Sequence, residues 1–175
     1  MKFTTVLAAL AMGVAAMPTE EGPVDNELEA TTLEGLDLLE VQQKYAKLII
    51  AQAKKENVGR HGCQTGIATA LTESTLIMHA NPVVPESLGY PHERLGYDGD
   101  SVGLFQQRAI YYTDIKCSMN AKCSAHQFYE IMKKIPDWQN IPVGVLCQKV
   151  QISAIPEAYN KFVEQAGSIC AAAGM

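Results

Sequence analysis

The chain has 175 residues, 47% of them apolar and 19% charged, with five cysteines and a formal net charge of −5. That length supports one domain with a moderate core. The acidic balance, without a basic stripe or a glycine-rich phosphate loop, argues against a nucleic-acid or nucleotide-phosphate partner.

The first 16 residues, MKFTTVLAALAMGVAA, place Lys2 before an apolar run that ends in small residues. This predicts a secretory signal peptide over residues 1–16, cleaved after Ala16. The run is too short to span a bilayer and no other stretch is a membrane candidate, so a secreted, extracellular protein without a membrane partner is expected. Pro18 to Glu40 then carries eight of the 19 acidic residues and no Lys or Arg. Residues 17–32 read as a disordered acidic leader and residues 33–175 as the folded domain. From Val41 onward, 13 basic residues face 11 acidic ones. That balance suits an anionic polymer, with the leader as a masking pro-segment or a solubilising tail.

Leu33 to Asn57 shows a helical stripe through Leu36, Leu39, Tyr45, Leu48 and Ile49, with Thr31 or Thr32 as its cap and Asn57-Val58-Gly59 as its stop. Gly62 to Gly66 reads as a turn, and Ile67 to His79 as a second helix with His79 as a cationic cap. This helix carries Glu73. Its expected helical neighbours Thr69, Ala70, Leu76 and Ile77 include no Lys or Arg, so lost hydration without a counter-charge favours the protonated acid, a proton donor near neutral pH. The long stretch from Asn81 to Gly99 is broken by prolines and glycines and is expected to form one wall of a cleft, with Tyr90, His92, Arg94 and Tyr97 available to a ligand.

Asp98 and Asp100 are candidate second carboxylates, although Asp-Gly-Asp is also a turn signal. Ser101 to Gln107 follows as the expected floor of the cleft. Gly103 permits close approach of a backbone or a ligand, and Gln106 and Gln107 give and accept hydrogen bonds. Tyr111 and Tyr112 are candidates for a binding edge. Ser124 is expected to cap a helix over Ala125–Ile135, with Trp138 beyond it as a core anchor. A helix over Val143–Ser153, a bend, and a helix from Pro156 to about Ile169 complete the chain. Helical periodicity dominates and strand signals are confined to Leu95–Ile110, which predicts a mostly helical α+β domain. The cysteines predict two disulfides and one leftover thiol, with Cys117 and Cys123 placed to close a local loop. A monomer is expected unless the unpaired cysteine links chains. There is no His-x-x-x-His or Cys-x-x-Cys pair, so neither a metal nor another cofactor is expected.

In order, Glu73-Ser74, Gly103-Leu104-Phe105-Gln106 and Ala158-Tyr159-Asn160 resemble the three motifs of the soluble lytic transglycosylases and goose-type lysozymes. A closer likeness, through ALTES, DSVGLFQQR and VQISAIPEAY, is to small secreted lysozyme-like proteins of actinobacteria and filamentous fungi. The resemblance covers roughly Gly62 to Ala166. Phe105 stands where the family has Met, and Lys161-Phe162-Val163 replaces its glycine-rich tail.

The resemblance implies a lysozyme-like domain with a small hairpin beside the catalytic helix, and cleavage of β-1,4 bonds between amino sugars of peptidoglycan or a chitin-like polymer. Glu73 would be the general acid, oriented by Ser74 and supported by Tyr159. Gly103, Gln106, Gln107, Tyr112, Tyr159 and Asn160 would position substrate. A base at Asp98 or Asp100, about 6.5–9.5 Å from Glu73, would activate water. Without one, the sugar's C6 hydroxyl would close an anhydro ring. The alternative is a non-catalytic carbohydrate-binding or host-directed effector protein on the same scaffold.

Overall fold

The computed structural model describes Leu33 and residues 35–175. The expected signal peptide, the expected acidic leader and the expected caps Thr31 and Thr32 lie outside the described residues. Helices dominate: α1 (Glu40–Lys55), α2 (Gly59–Ser74), α3 (Ile115–Ser118), α4 (Ala121–Met132), α5 (Val143–Gln151) and α6 (Val163–Ala172). Single 3-10 segments lie at Pro85–Gly89, Trp138–Asn140 and Pro156–Phe162. β1 (His79–Ala80) pairs in parallel with β2 (Arg94–Leu95). β3 (Ser101–Val102) and β4 (Gln107–Arg108) form an antiparallel hairpin, with Val102 opposite Gln107. The domain is α+β and mostly helical.

α2 is the central element, packed against α1, α4, α5 and α6. It absorbs the stretch expected to be a turn. Gly62 and Gly66 are buried inside the helix, where a Cβ would lie 2.4 Å from the Val58 side chain and 2.4 Å from the Tyr129 hydroxyl respectively. Their role is close packing, which overrides the usual cost of glycine in a helix. The helix stops at Ser74 rather than His79, because Thr75 and Leu76 both turn left-handed, at φ 55° each. Their amides close the end by donating to Leu71 O and Ala70 O. Leu76 and Ile77 are therefore not helical neighbours of Glu73, and His79 lies in β1 with Nδ1 2.9 Å from Ile77 O.

α1 starts at Glu40, where Gln42 accepts from the Leu39 amide at 2.8 Å. α4 starts before Ser124, since the Asn120 side chain already accepts from the Cys123 amide at 3.0 Å. The final helix is divided, its first part a 3-10 segment that begins at Pro156. Cys117–Cys123 joins α3 to α4, and Cys63–Cys170 ties α2 to α6 across 107 residues. A loop of that length corresponds to about 4–5 kcal/mol of stabilisation in the chain-entropy model. The leftover thiol, Cys147, is buried, and burial pushes it up to about 12. It donates to Thr65 O at 3.4 Å and is not at the surface, where a link to a second chain would form. No helix among the described residues is long and apolar enough to cross a membrane.

Candidate active site

Glu73 sits in the last turn of α2, and the left-handed pair that follows carries the chain away from it. Its carboxylate lines a cleft of about 940 Å³. Two hydrogen bonds converge on one oxygen: Tyr159 donates its phenol to Oε1 at 2.5 Å and Gln151 donates its amide at 3.1 Å. Among the described residues no hydrogen bond reaches Oε2. Both donors are neutral, and no salt bridge to Glu73 occurs among the described residues. Burial, reinforced by the bond to Glu73, pushes the Tyr159 phenol well above its usual range, so it stays protonated and donating.

The Gly103–Gln106 turn reaches this carboxylate through backbone. Gln151 Nε2 also donates to Phe105 O at 2.8 Å, and Ser74 donates its hydroxyl to Leu104 O at 2.8 Å. Ser74 is buried and has no hydrogen bond to the Glu73 carboxylate; it fastens the end of α2 to the turn. Gly103 has φ 79°, and a Cβ there would lie 2.2 Å from Ser118 O. The close approach that requires glycine is therefore by backbone of α3, not by a ligand. Phe105 is fully buried and stacks on Phe128 at 5.0 Å.

Gln106 and Gln107 both line the cleft. Gln106 folds back to donate to Gly103 O at 2.8 Å. Gln107 is buried, donates to Ser124 O at 3.3 Å, and has Oε1 without a partner among the described residues. Tyr111 and Tyr112 line the cleft too, Tyr111 78% exposed. Asn160 does not reach it. Its amide is held by Glu157 and its Oδ1 packs over Gly144.

The paired aspartates separate clearly. Asp98 lines the cleft. Asp100 is tied by Arg108 and by the Ile110 amide at 2.7 Å, and the Arg108 guanidinium holds its carboxyl below the ordinary range. It anchors the end of the hairpin and is not among the lining residues.

Of the stretch Asn81–Gly99, only Asp98 lines the cleft; Tyr90, His92, Arg94 and Tyr97 do not. That stretch is pinned to the body instead through Glu93, which accepts from the Tyr45 hydroxyl of α1 at 2.8 Å and the Met78 amide at 3.1 Å. The buried Asn81 closes its base by donating to Gly99 O at 3.0 Å and Ser101 O at 3.1 Å. The expected wall is supplied by Lys149 to Ile155, at the end of α5 and the bend beyond it. Gln151, Ser153 and this wall were missed by reading single residues. The signal available was the run Gln151-Ile152-Ser153 just before the Pro156 helix start.

A second cluster lies in a separate cavity of about 560 Å³. Glu56, His126 and Glu130 bring three potential metal donors within 4.8 Å of one another. Lys133 already bridges both carboxylates, at 2.7 Å to Glu56 and 2.6 Å to Glu130, so an ammonium of the protein already offsets part of their charge.

Chemically, the cleft offers a carboxyl group with one oxygen held by two donors and the other without a hydrogen bond among the described residues. Such a group can deliver a proton from that second oxygen and take one back there. The sequence matches no protein-family model and no curated protein.

Proposed function

We propose that this protein is a secreted glycosidase that cleaves β-1,4 bonds between the amino sugars of peptidoglycan by general-acid catalysis. The observation that carries the reading is the one-sided support of Glu73. Tyr159 and Gln151 fix Oε1 as the accepting oxygen, which leaves Oε2 to hold the proton. A glycosidic oxygen seated in the cleft takes that proton as its bond to the anomeric carbon lengthens. On the intramolecular route Oε2 then accepts a proton from the sugar's C6 hydroxyl; on the hydrolytic route Asp98 takes the proton of the attacking water.

The order of Glu73-Ser74, the Gly103–Gln106 turn and Tyr159 in the lysozyme-like pattern supports the same assignment. So does the way Ser74, Gln151 and Tyr159 join those segments around one carboxyl group. Asp98 is the one of the paired aspartates free to activate water, since Asp100 is committed to Arg108 and Ile110. Lys149, also on the cleft lining, suits the carboxylates of a peptidoglycan strand. Two disulfides and the signal-peptide pattern of residues 1–16 fit an oxidising, extracellular destination.

The test is incubation with purified peptidoglycan and mass spectrometry of the soluble products, with Glu73→Gln and Asp98→Asn alongside. Reducing-end products lost in both variants establish hydrolysis through Glu73 and Asp98. Anhydro products lost only in Glu73→Gln establish the intramolecular route. No products from folded, oxidised protein would sink the enzymatic reading and favour a binding or effector protein.

A further inference from the structure

Six non-glycine residues among those described have positive φ: Asn57, Thr75, Leu76, Gln106, Asp137 and Ile152. Asn57 and Asp137 are types that tolerate this region. The other four sit in the segments that carry Glu73, the Gly103–Gln106 turn and Gln151, so strain gathers around the cleft.

Three of those four have a local reason. Leu76 is fully buried in the core. The Thr75 hydroxyl donates to Ser74 O at 2.6 Å, and the Gln106 amide donates to Gly103 O. Ile152 has none. It is β-branched at φ 54°, its amide donates to Gln148 O at 2.8 Å while the Gln148 side chain donates past it to Ser153 O at 2.9 Å, and its own side chain makes no such bond and is 83% exposed. Glycine or asparagine would make the same cap without strain. What isoleucine adds is a branched apolar group on the lining of the cleft, directly after the Gln151 that holds Glu73. Ile155 and Tyr111 line the same cleft at 67% and 78% exposure. Large apolar side chains gathered in one concavity mark a recognition surface.

We infer that Ile152 is a specificity-determining residue, seating the acetamido methyl and apolar ring face of an N-acetylated sugar beside the scissile bond. This rests on the amino-sugar reading of the cleft. The experiment places Ile152→Asn and Ile152→Leu in the full chain carrying Glu73→Gln, which prevents turnover. Binding of an N-acetylglucosamine tetramer and of its deacetylated counterpart is measured by calorimetry, with the thermal midpoint of each protein.

Ile152→Asn is expected to raise the midpoint, as strain is relieved. It should weaken the acetylated tetramer by about tenfold, the scale set by burying one aliphatic side chain, and leave the deacetylated one nearly unchanged. Ile152→Leu should keep most of the acetylated affinity. Unchanged affinity in Ile152→Asn, equal losses for both tetramers, or a lower midpoint each overturn the assignment while leaving the amino-sugar reading in place. If the parent binds neither tetramer, the amino-sugar reading falls and this inference with it.

Discussion

Two glutamates in this molecule invite comparison. Glu56 follows α1 and Glu73 ends α2, so both stand at the end of a helix where negative charge is disfavoured. Around Glu56 the fold gathers full compensation. Oε1 accepts from Gln52 at 2.7 Å and faces His126 Nδ1 at 2.5 Å, while Oε2 takes the Lys133 ammonium at 2.7 Å. Around Glu73, which lines the cleft, it gathers two neutral donors on one oxygen and none on the other among the described residues. A carboxylate satisfied on both oxygens is a strut between helices. One satisfied on a single side, in a cavity, is equipped to exchange a proton.

The largest expected effect breaks the comparison at its centre. Glu73→Gln keeps the size of the side chain and an oxygen to accept from Tyr159, so the thermal midpoint should hold. The rate of peptidoglycan cleavage should fall by about 10²–10⁴-fold, the usual contribution of a general acid. The matching Glu56→Gln should leave that rate unchanged. A folded Glu73→Gln protein that still solubilises the wall would end the distinction.

Tyr159→Phe comes next. It removes the shorter of the two bonds to Oε1 without opening a cavity. A hydrogen bond to a charged group contributes about 1.5–3 kcal/mol, so the turnover rate should fall roughly 10–100-fold. The KM should change little, because Tyr159 is fully buried and is not among the lining residues. A rise in KM at constant turnover would make Tyr159 a substrate contact instead.

How much of this contrast the sequence could show depends on the span of each contact. The helices, the hairpin region, the short Cys117–Cys123 bridge and the candidacy of Glu73 are local patterns, legible from spacing. The convergence of Tyr159 on Glu73 was expected only through the ordered motifs, since 86 residues separate the two. Gln151, 78 residues from Glu73, is marked only by its place in the run before Pro156, which says nothing of its partner. The Glu56 cluster joins residues 70 and 77 apart on different helices, beyond any spacing rule for metal ligands. Gly62 and Gly66 misled because their glycine is demanded by neighbours in space rather than by chain direction. The composition of Asn81–Gly99 suggests a free loop at the cleft, whereas Glu93 holds its middle to the Tyr45 hydroxyl and the Met78 amide.

Glu56→Ala sharpens the comparison from the other side. Its side chain is 6% exposed, and its loss frees His126 and leaves Lys133 paired with Glu130 alone, both cations being exposed enough to rehydrate. The expected cost is about 1–3 kcal/mol, or roughly 2–10 °C in thermal midpoint, with cleavage by the folded protein unchanged. A loss of cleavage at constant stability would place catalytic function at the second cluster.

The smallest effect is the acid limb of stability. Burial pushes Glu56 upward, but the bonds from Lys133, Gln52 and His126 outweigh it and leave the carboxyl below its ordinary value of 4.5. A depressed carboxyl binds fewer protons in the folded state than in the unfolded one. Its stabilisation is therefore present above pH 4.5 and is lost as pH falls through the lower folded value. Asp100 and Glu130 are depressed as well, by Arg108 and Lys133 respectively, so the acid limb of the parent alone cannot identify Glu56. The difference between parent and Glu56→Gln can, because the other groups are present in both. Urea midpoints at pH 3, 4, 5 and 7 should show the parent losing more stability than the variant toward acid, on the order of 1 kcal/mol or less. Parallel curves would mean that Lys133 and His126 hold Glu56 no more tightly than water does, and the strut would no longer differ from the acid in the cleft.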